Sequence, residues 1–324
     1  AHLAGPAGFT LLKGLCVGGV AAAGFGWLAR RGASFSLALS VTAVAVVGLR
    51  PRLGERPETV TLLMAAMVTW LLLDLAARPD RPRTRLAGVA LLTILWVNLH
   101  GGALLAPVIA TAVAAGATAD RSRRAVASTW AAVPLTAVCL LVNPYGPRIY
   151  LVPSAIASAL APANLGNPEW ARPGLAAFPL FYAALAVLLI LLATDLLGRR
   201  PLAPARVAVF LVAAGMAATS IRHTGIFFAL LPMMIEPGGG ARLPGSVRRT
   251  LAGAVVLAAI LLMALFPPAG AQPGVGIETN RFPEKAADFI DAQLGDARIY
   301  NDVAAGGYLI WRGYPGRRVF IDGR

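Results

Sequence analysis

Long blocks of Ala, Leu and Val, each closed off by a short cluster of Arg, Pro or Gly, recur from Phe9 to Pro268. A block of nearly twenty apolar residues matches the hydrocarbon thickness that one helix crosses. In lipid every backbone N–H and C=O must find an internal partner, so helices are the default way across. The alternating pattern of a membrane β-barrel is absent. With 57% hydrophobic and 14% charged residues, the composition lies outside the soluble globular range. The expectation is an all-α polytopic membrane protein of about ten transmembrane helices. The blocks fall near 9–29, 35–49, 59–76, 86–97, 103–118, 125–142, 176–197, 204–221, 224–236 and 248–268. Those beside Asn98 to Gly102 and after His223 are short, as in segments that line protein interiors or cavities.

The net charge of +14 would suit a nucleic-acid binder if it were gathered on one surface. Instead the arginines sit between apolar blocks, as cytoplasmic loops do under the positive-inside rule, and no nucleic-acid partner is expected. Counted on alternate sides, fifteen arginines between Arg30 and Arg249 face one way. Six, namely Arg50, Arg52, Arg56, Arg148, Arg172 and Arg222, face the other. The richer side is read as cytoplasmic, which puts both chain ends outside. All the unusual polar clusters then share the outer face. They are Arg50-Pro-Arg52, Asn98-Leu-His100-Gly-Gly, Asn143-Pro-Tyr-Gly, Pro168-Glu-Trp and Arg222-His223.

Residues 1–269 are expected to form the membrane domain and residues 270–324 a small extracytoplasmic module. The tail is richer in Asp, Glu and Asn, with an amphipathic stretch from Pro283 to Leu294. Strand-like runs follow at Arg298-Ile-Tyr and Arg318-Val-Phe-Ile, the pattern of an α/β module cut short. The start at Ala1, without a signal-peptide core, and the stop at Arg324 both read as cuts within a longer protein.

Each polar cluster carries a functional and a plain reading. Asn98 and His100 lie at a depth where polar groups are costly unless they pair or face water, which marks a site or an interfacial turn. Glu169 beside Trp170 could be a general base or acid, or could pair with Arg148 or Arg172 and hold its loop. Arg222, next to His223, suits a phosphate or carboxylate; its plain reading is an arginine snorkelling to the interface. Arg50, Arg52 and Arg56, with Glu55 and Glu58, fit either an anionic lipid headgroup or a local ion-pair cluster. Cys16 and Cys139 lie within apolar blocks and read as small buried hydrophobes. His2, His100 and His223 lack the spacing of a helical metal site, so ligand spacing supports no divalent metal. P-loop, dinucleotide and serine-hydrolase signatures are absent.

The order Trp96-Val-Asn-Leu-His-Gly, Asn143-Pro-Tyr-Gly, Glu169-Trp170, Arg222 continues with Asn301-Asp302, Gly306-Gly-Tyr-Leu-Ile-Trp and Val319-Phe-Ile-Asp-Gly-Arg. On these residues the chain resembles a family of bacterial polytopic membrane proteins related to GT-C-type glycosyltransferases. The resemblance implies transfer of a sugar from a polyprenyl-phosphate donor on the outer face of the bacterial cytoplasmic membrane. It implies that Arg222 and Arg52 contact the donor phosphate, that Asn98 and His100 line the cavity and that the tail covers it, with Asn143 and His223 as further substrate-binding candidates. Such enzymes place an essential acidic residue in a first outer loop that this chain lacks, which leaves Glu169 and His100 as the catalytic candidates. Two other functions fit the same polar exceptions: a transporter or lipid flippase, and a non-catalytic assembly protein docking through its tail.

Overall fold

The computed structural model describes residues 5–53, 58–120, 122–155, 168–198, 202–237, 244–265, 282–294, 298–313, 316 and 318–320. His2, Glu55, Arg56, Asn167 and the Ile321 to Arg324 end of the last strand-like run lie outside them. Two compact units divide the chain, Leu11–Pro268 and the pairing of Ala1–Thr10 with Ala269–Arg324.

Each apolar block folds as a helix: α1 (Gly5–Arg30), α2 (Phe35–Leu49), α3 (Glu58–Ala77), α4 (Pro82–Leu99) and α5 (Leu105–Ala117), then α6 (Arg123–Cys139), α7 (Pro179–Leu197), α8 (Pro204–Thr219), α9 (Ile221–Met234) and α10 (Gly245–Leu265). Local chemistry marks the starts. Pro82, Pro179 and Pro204 occupy first-turn positions where a missing N–H costs nothing, and the Ser34 and Ser122 hydroxyls cap α2 and α6. Among the described residues, α1, α3, α7 and α10, and α2 together with the turn that follows it (Phe35–Arg52), are long and apolar enough to cross a membrane; α8, α9 and Gly101–Ala117 are shorter apolar segments.

Burial separates the helices by role. In α3, 72% of the most apolar window is buried against 6% in α10, so α3 is interior and α10 presents its side chains outward. Helix α9 is the centre of the bundle. It packs on α8, α2 and α3, and every residue from Thr224 to Met233 is buried. A helix apolar on all sides belongs inside. Its 14 residues reach only about 21 Å, short of a hydrocarbon core of about 30 Å, so protein surrounds it instead of lipid. Phe227 on α9 meets Phe181 of α7 edge-on at 5.1 Å. Close approach needs small residues: a Cβ on Gly48 would fall 2.1 Å from the Phe228 ring.

The C-terminal unit departs from its expected α/β form. Its described residues make two helices, α11 (Glu284–Gln293) and α12 (Val303–Gly313), around Ala287, Tyr308 and Leu309. Gly306-Gly-Tyr-Leu-Ile-Trp lies within α12. The two strand-like runs do not form a sheet among the described residues; they meet at a single parallel bridge, Ile299 to Val319. Two short runs cannot support a sheet without a third strand beside them. Helix pairing carries the unit, with the Phe282 and Tyr308 rings stacked at 5.1 Å and Arg312 hydrogen-bonded to Asp288 and Asp291 at 2.5 and 2.9 Å.

Candidate functional site

The polar exceptions of the sequence converge where α2 and α4 end and α3 and α9 begin. The chain leaves α2 through a tight 3-10 turn, Arg50–Arg52, that buries Arg52 to 5% exposure. A guanidinium so deeply desolvated requires anionic partners. Glu58, in the first turn of α3 and itself buried, makes a close ion pair with it. Glu169 approaches the other terminal nitrogen at 3.3 Å. The helix dipole favours Glu58 where it stands, at an N-terminus. Gly225 on α9 leaves room for the Arg52 stem, since a Cβ there would sit 2.8 Å from Arg52 Cγ.

Glu169 comes from a distant stretch of chain, and two backbone-anchored contacts hold it. The Ser220 hydroxyl donates to the Glu169 carbonyl, and the Ile221 N–H donates to the Ala171 carbonyl, both at 2.9 Å. The 3-10 turn Pro168–Trp170 is thereby clamped to the start of α9. Trp170 lies under the Arg222 guanidinium, 5.3 Å from its ring centroid, and edge-on to His223 at 6.1 Å. No acidic side chain occupies the first turn of α9. Arg222 therefore adds positive charge to a helix end that is already positive, an arrangement that suits an anion.

His100 caps the step from α4 into the 3-10 turn Gly101–Leu104. Its Nδ1 is 2.7 Å from the Thr61 hydroxyl and 2.9 Å from the Gly102 N–H; the Trp96 indole N–H donates to the same hydroxyl at 3.0 Å. Thr61 lies one turn along α3 from Glu58, so the two share a face. A Cβ on Gly102 would fall 2.5 Å from Thr61 Oγ1. Glu58 and Arg222 are the charged groups within electrostatic reach of the His100 ring. Arg50 Nε, Arg52 Nε and His223 Nδ1 are buried without a hydrogen-bond partner among the described residues.

Of the residues singled out in the sequence, Arg52, His100, Glu169, Arg222 and His223 thus belong to one cluster. Asn98 and Asn143 act as pins. The Asn98 amide donates to the Ile94 and Val142 carbonyls at 2.8 and 2.7 Å, tying the end of α4 to the turn after α6. Asn143 Oδ1 accepts the Tyr145 N–H at 2.7 Å, and its amide reaches the Leu140 carbonyl at 2.5 Å. That is an Asx turn, finished by Gly146 at φ 53°. Glu169, expected opposite Arg148 or Arg172, has Arg52 against it.

Thr61 and the central place of Glu58 were not read from sequence; a polar residue at i+3 from Glu58 in an apolar run was the available signal. No three of the His, Cys, Asp and Glu side chains gather as a metal site among the described residues. Two carboxylates on one buried arginine, an arginine stacked on an indole and an imidazole can together hold an anion beside an aromatic surface. No protein-family model, curated protein or solved structure matches the chain.

Proposed function

We propose that the chain is a multi-pass membrane protein of the glycosyltransferase type. It transfers a sugar from a polyprenyl-phosphate donor to an acceptor hydroxyl at the His100 end of the bundle, the outer face of the bacterial cytoplasmic membrane. The apolar helices described in the Leu11–Pro268 unit are read as carrying the chain across the membrane, with the short α9 enclosed among them, and the C-terminal unit is read as extracytoplasmic. The observation that carries the reading is the stacking of Arg222 on Trp170, next in sequence to Glu169. An indole face suits a sugar ring, a guanidinium suits the phosphate, and a carboxylate suits the incoming hydroxyl.

In this reaction Glu169 takes the proton of the acceptor hydroxyl, whose oxygen attacks the anomeric carbon. The bond from that carbon to the phosphate oxygen breaks, and the lipid phosphate leaves with the electron pair toward Arg222. Arg52 orients the Glu169 carboxylate from the side away from the substrate. Membranes with and without the protein, supplied with a broad set of polyprenyl-phosphate sugars, test the reaction directly. Glu169→Gln is expected to lower turnover by about a hundredfold or more, the usual cost of losing a general base. No transfer from any donor overturns the proposal. If the donors bind and Arg222→Ala abolishes binding without any transfer in the parent protein, a lipid flippase replaces it. If Glu169→Gln and Arg222→Ala change nothing while deletion of the C-terminal unit abolishes function, the chain is an assembly protein.

A further inference from the structure

The hydrogen bonds at His100 determine which of its nitrogens carries the proton. An amide N–H can only donate, so the Gly102 N–H at 2.9 Å requires a lone pair on Nδ1. The second contact agrees. The Trp96 indole N–H is also donor only, and it occupies the Thr61 oxygen at 3.0 Å. The Thr61 hydroxyl keeps its own proton to give, and Nδ1 lies 2.7 Å away to receive it. The Thr61 hydroxyl could turn to accept a proton on Nδ1, but the Gly102 N–H, fixed in the backbone, could not.

We propose that Trp96, Thr61 and the Gly102 amide hold His100 as the neutral Nε2–H tautomer, with Thr61 as the positioning residue. His100 then serves the bound substrate as a hydrogen-bond donor to an anionic phosphate oxygen, not as the base. The chain of donors runs one way: indole N–H to threonine oxygen, threonine O–H to Nδ1, leaving Nε2–H as the ring's only donor. Glu58 and Arg222, in electrostatic reach of the ring, act on it in opposite senses, and Glu58 has its own partner in Arg52. The assignment removes His100 from the two catalytic candidates of the sequence and leaves the proton transfer to Glu169. What the Nε2–H serves rests on the proposed sugar transfer; the tautomer does not.

Nitrogen NMR of the full chain, labelled with 15N-histidine and held in detergent micelles, reads the tautomer. The chain has three histidines, and the signals lost in His100→Gln identify His100. At neutral pH the expected pattern is a lone-pair nitrogen at Nδ1 and a protonated nitrogen at Nε2. A proton on Nδ1, alone or as imidazolium, overturns the proposal. Thr61→Val is expected to admit the second tautomer or the imidazolium, and Thr61→Ser, which keeps the hydroxyl, to restore the parent spectrum. A Thr61→Ser spectrum that matches Thr61→Val overturns the role of Thr61, even if the valine protein folds poorly.

Kinetics separate donor from base. His100→Gln, which retains an N–H, is expected to keep kcat within about tenfold and to raise the donor KM. A base would cost His100→Gln and His100→Ala alike about a hundredfold or more in kcat. Absence of transfer in the parent protein would overturn the sugar-transfer reading, while the spectrum still decides the tautomer.

Discussion

At the residue scale, Arg52 is the most exacting side chain in the structure. It is buried, it is charged, and the carboxylates that neutralise it come from positions six and 117 residues further along the chain. Removing one member of a buried pair strands the other, which costs about 3–5 kcal/mol. Arg52→Ala is therefore expected to lower the unfolding midpoint in detergent sharply, by leaving Glu58 buried with its charge unmatched. The double change Arg52→Met with Glu58→Met removes both buried charges and is expected to recover most of that loss. A single variant that melts like the parent protein would show that the pair is not buried in solution. Asn98 makes a contrasting case. Its two backbone hydrogen bonds have a net worth of about 1–2 kcal/mol together, and they join helix ends instead of facing a ligand. Asn98→Ala should cost that much stability and leave donor binding unchanged; a loss of binding at unaltered stability would return Asn98 to the site.

At the element scale, the bundle depends on helices approaching closely through small residues. Gly116 on α5 faces the backbone of α8: a Cβ there would sit 2.5 Å from Ala205 Cα and 2.6 Å from the Pro204 carbonyl oxygen. Backbone cannot rotate away as a side chain can, so Gly116→Ala must push the two helices apart. Such overpacking costs on the order of 1–3 kcal/mol. Gly18 on α1, with nothing within 4 Å of its Cβ position, is the control. Gly18→Ala should be neutral or stabilising by up to about 1 kcal/mol from helix propensity alone. Equal melting of the two variants would show that α5 and α8 do not pack this closely. The same elements show what a sequence can express. Apolar runs bounded by Pro, Gly and Arg announced the helices, because lipid and protein interior alike reward unbroken hydrophobicity. They also announced that α9 is short and internal. Hidden was the partner choice: nothing local to Glu169 says that Arg52, rather than Arg148 or Arg172, comes to rest opposite it. Thr61 was hidden for a different reason, since a threonine in an apolar run looks like core until Trp96 and His100 are seen to meet on it. In the tail, Arg298-Ile-Tyr has strand propensity, but among the described residues it makes only the Ile299 to Val319 bridge.

At the scale of the whole molecule, the Leu11–Pro268 unit has two polar ends and an apolar middle. Glu58 and Asp74 mark the two ends of α3, about 24 Å apart at 1.5 Å per residue. Around Asp74 the chemistry is plain charge pairing: Arg78 and Arg85 both bind its carboxylate, Arg85 reaches Asp80 at 3.3 Å, and Arg206 pairs with Glu236. Arginines also stack on indoles there, Arg31 over Trp27 and Arg30 over Trp70; the His100 end differs in bringing His100 and His223 to its charges, and it is the end at which chemistry is proposed. In the proposed orientation, the excess of arginine beside the Asp74 end puts that end in the cytoplasm. Single cysteines test this. Tyr145 is 70% exposed beside Asn143, at the His100 end, and Arg81 lies exposed between α3 and α4, at the Asp74 end. The native Cys16 and Cys139 are buried and give little background. A membrane-impermeant maleimide applied to intact cells should label Tyr145→Cys at once and Arg81→Cys only after the membrane is opened. Reversed labelling would put the His100 end in the cytoplasm and exclude an outer-face lipid-linked donor. Labelling of both from the same side would mean that α4 to α6 do not carry the chain from one side of the membrane to the other.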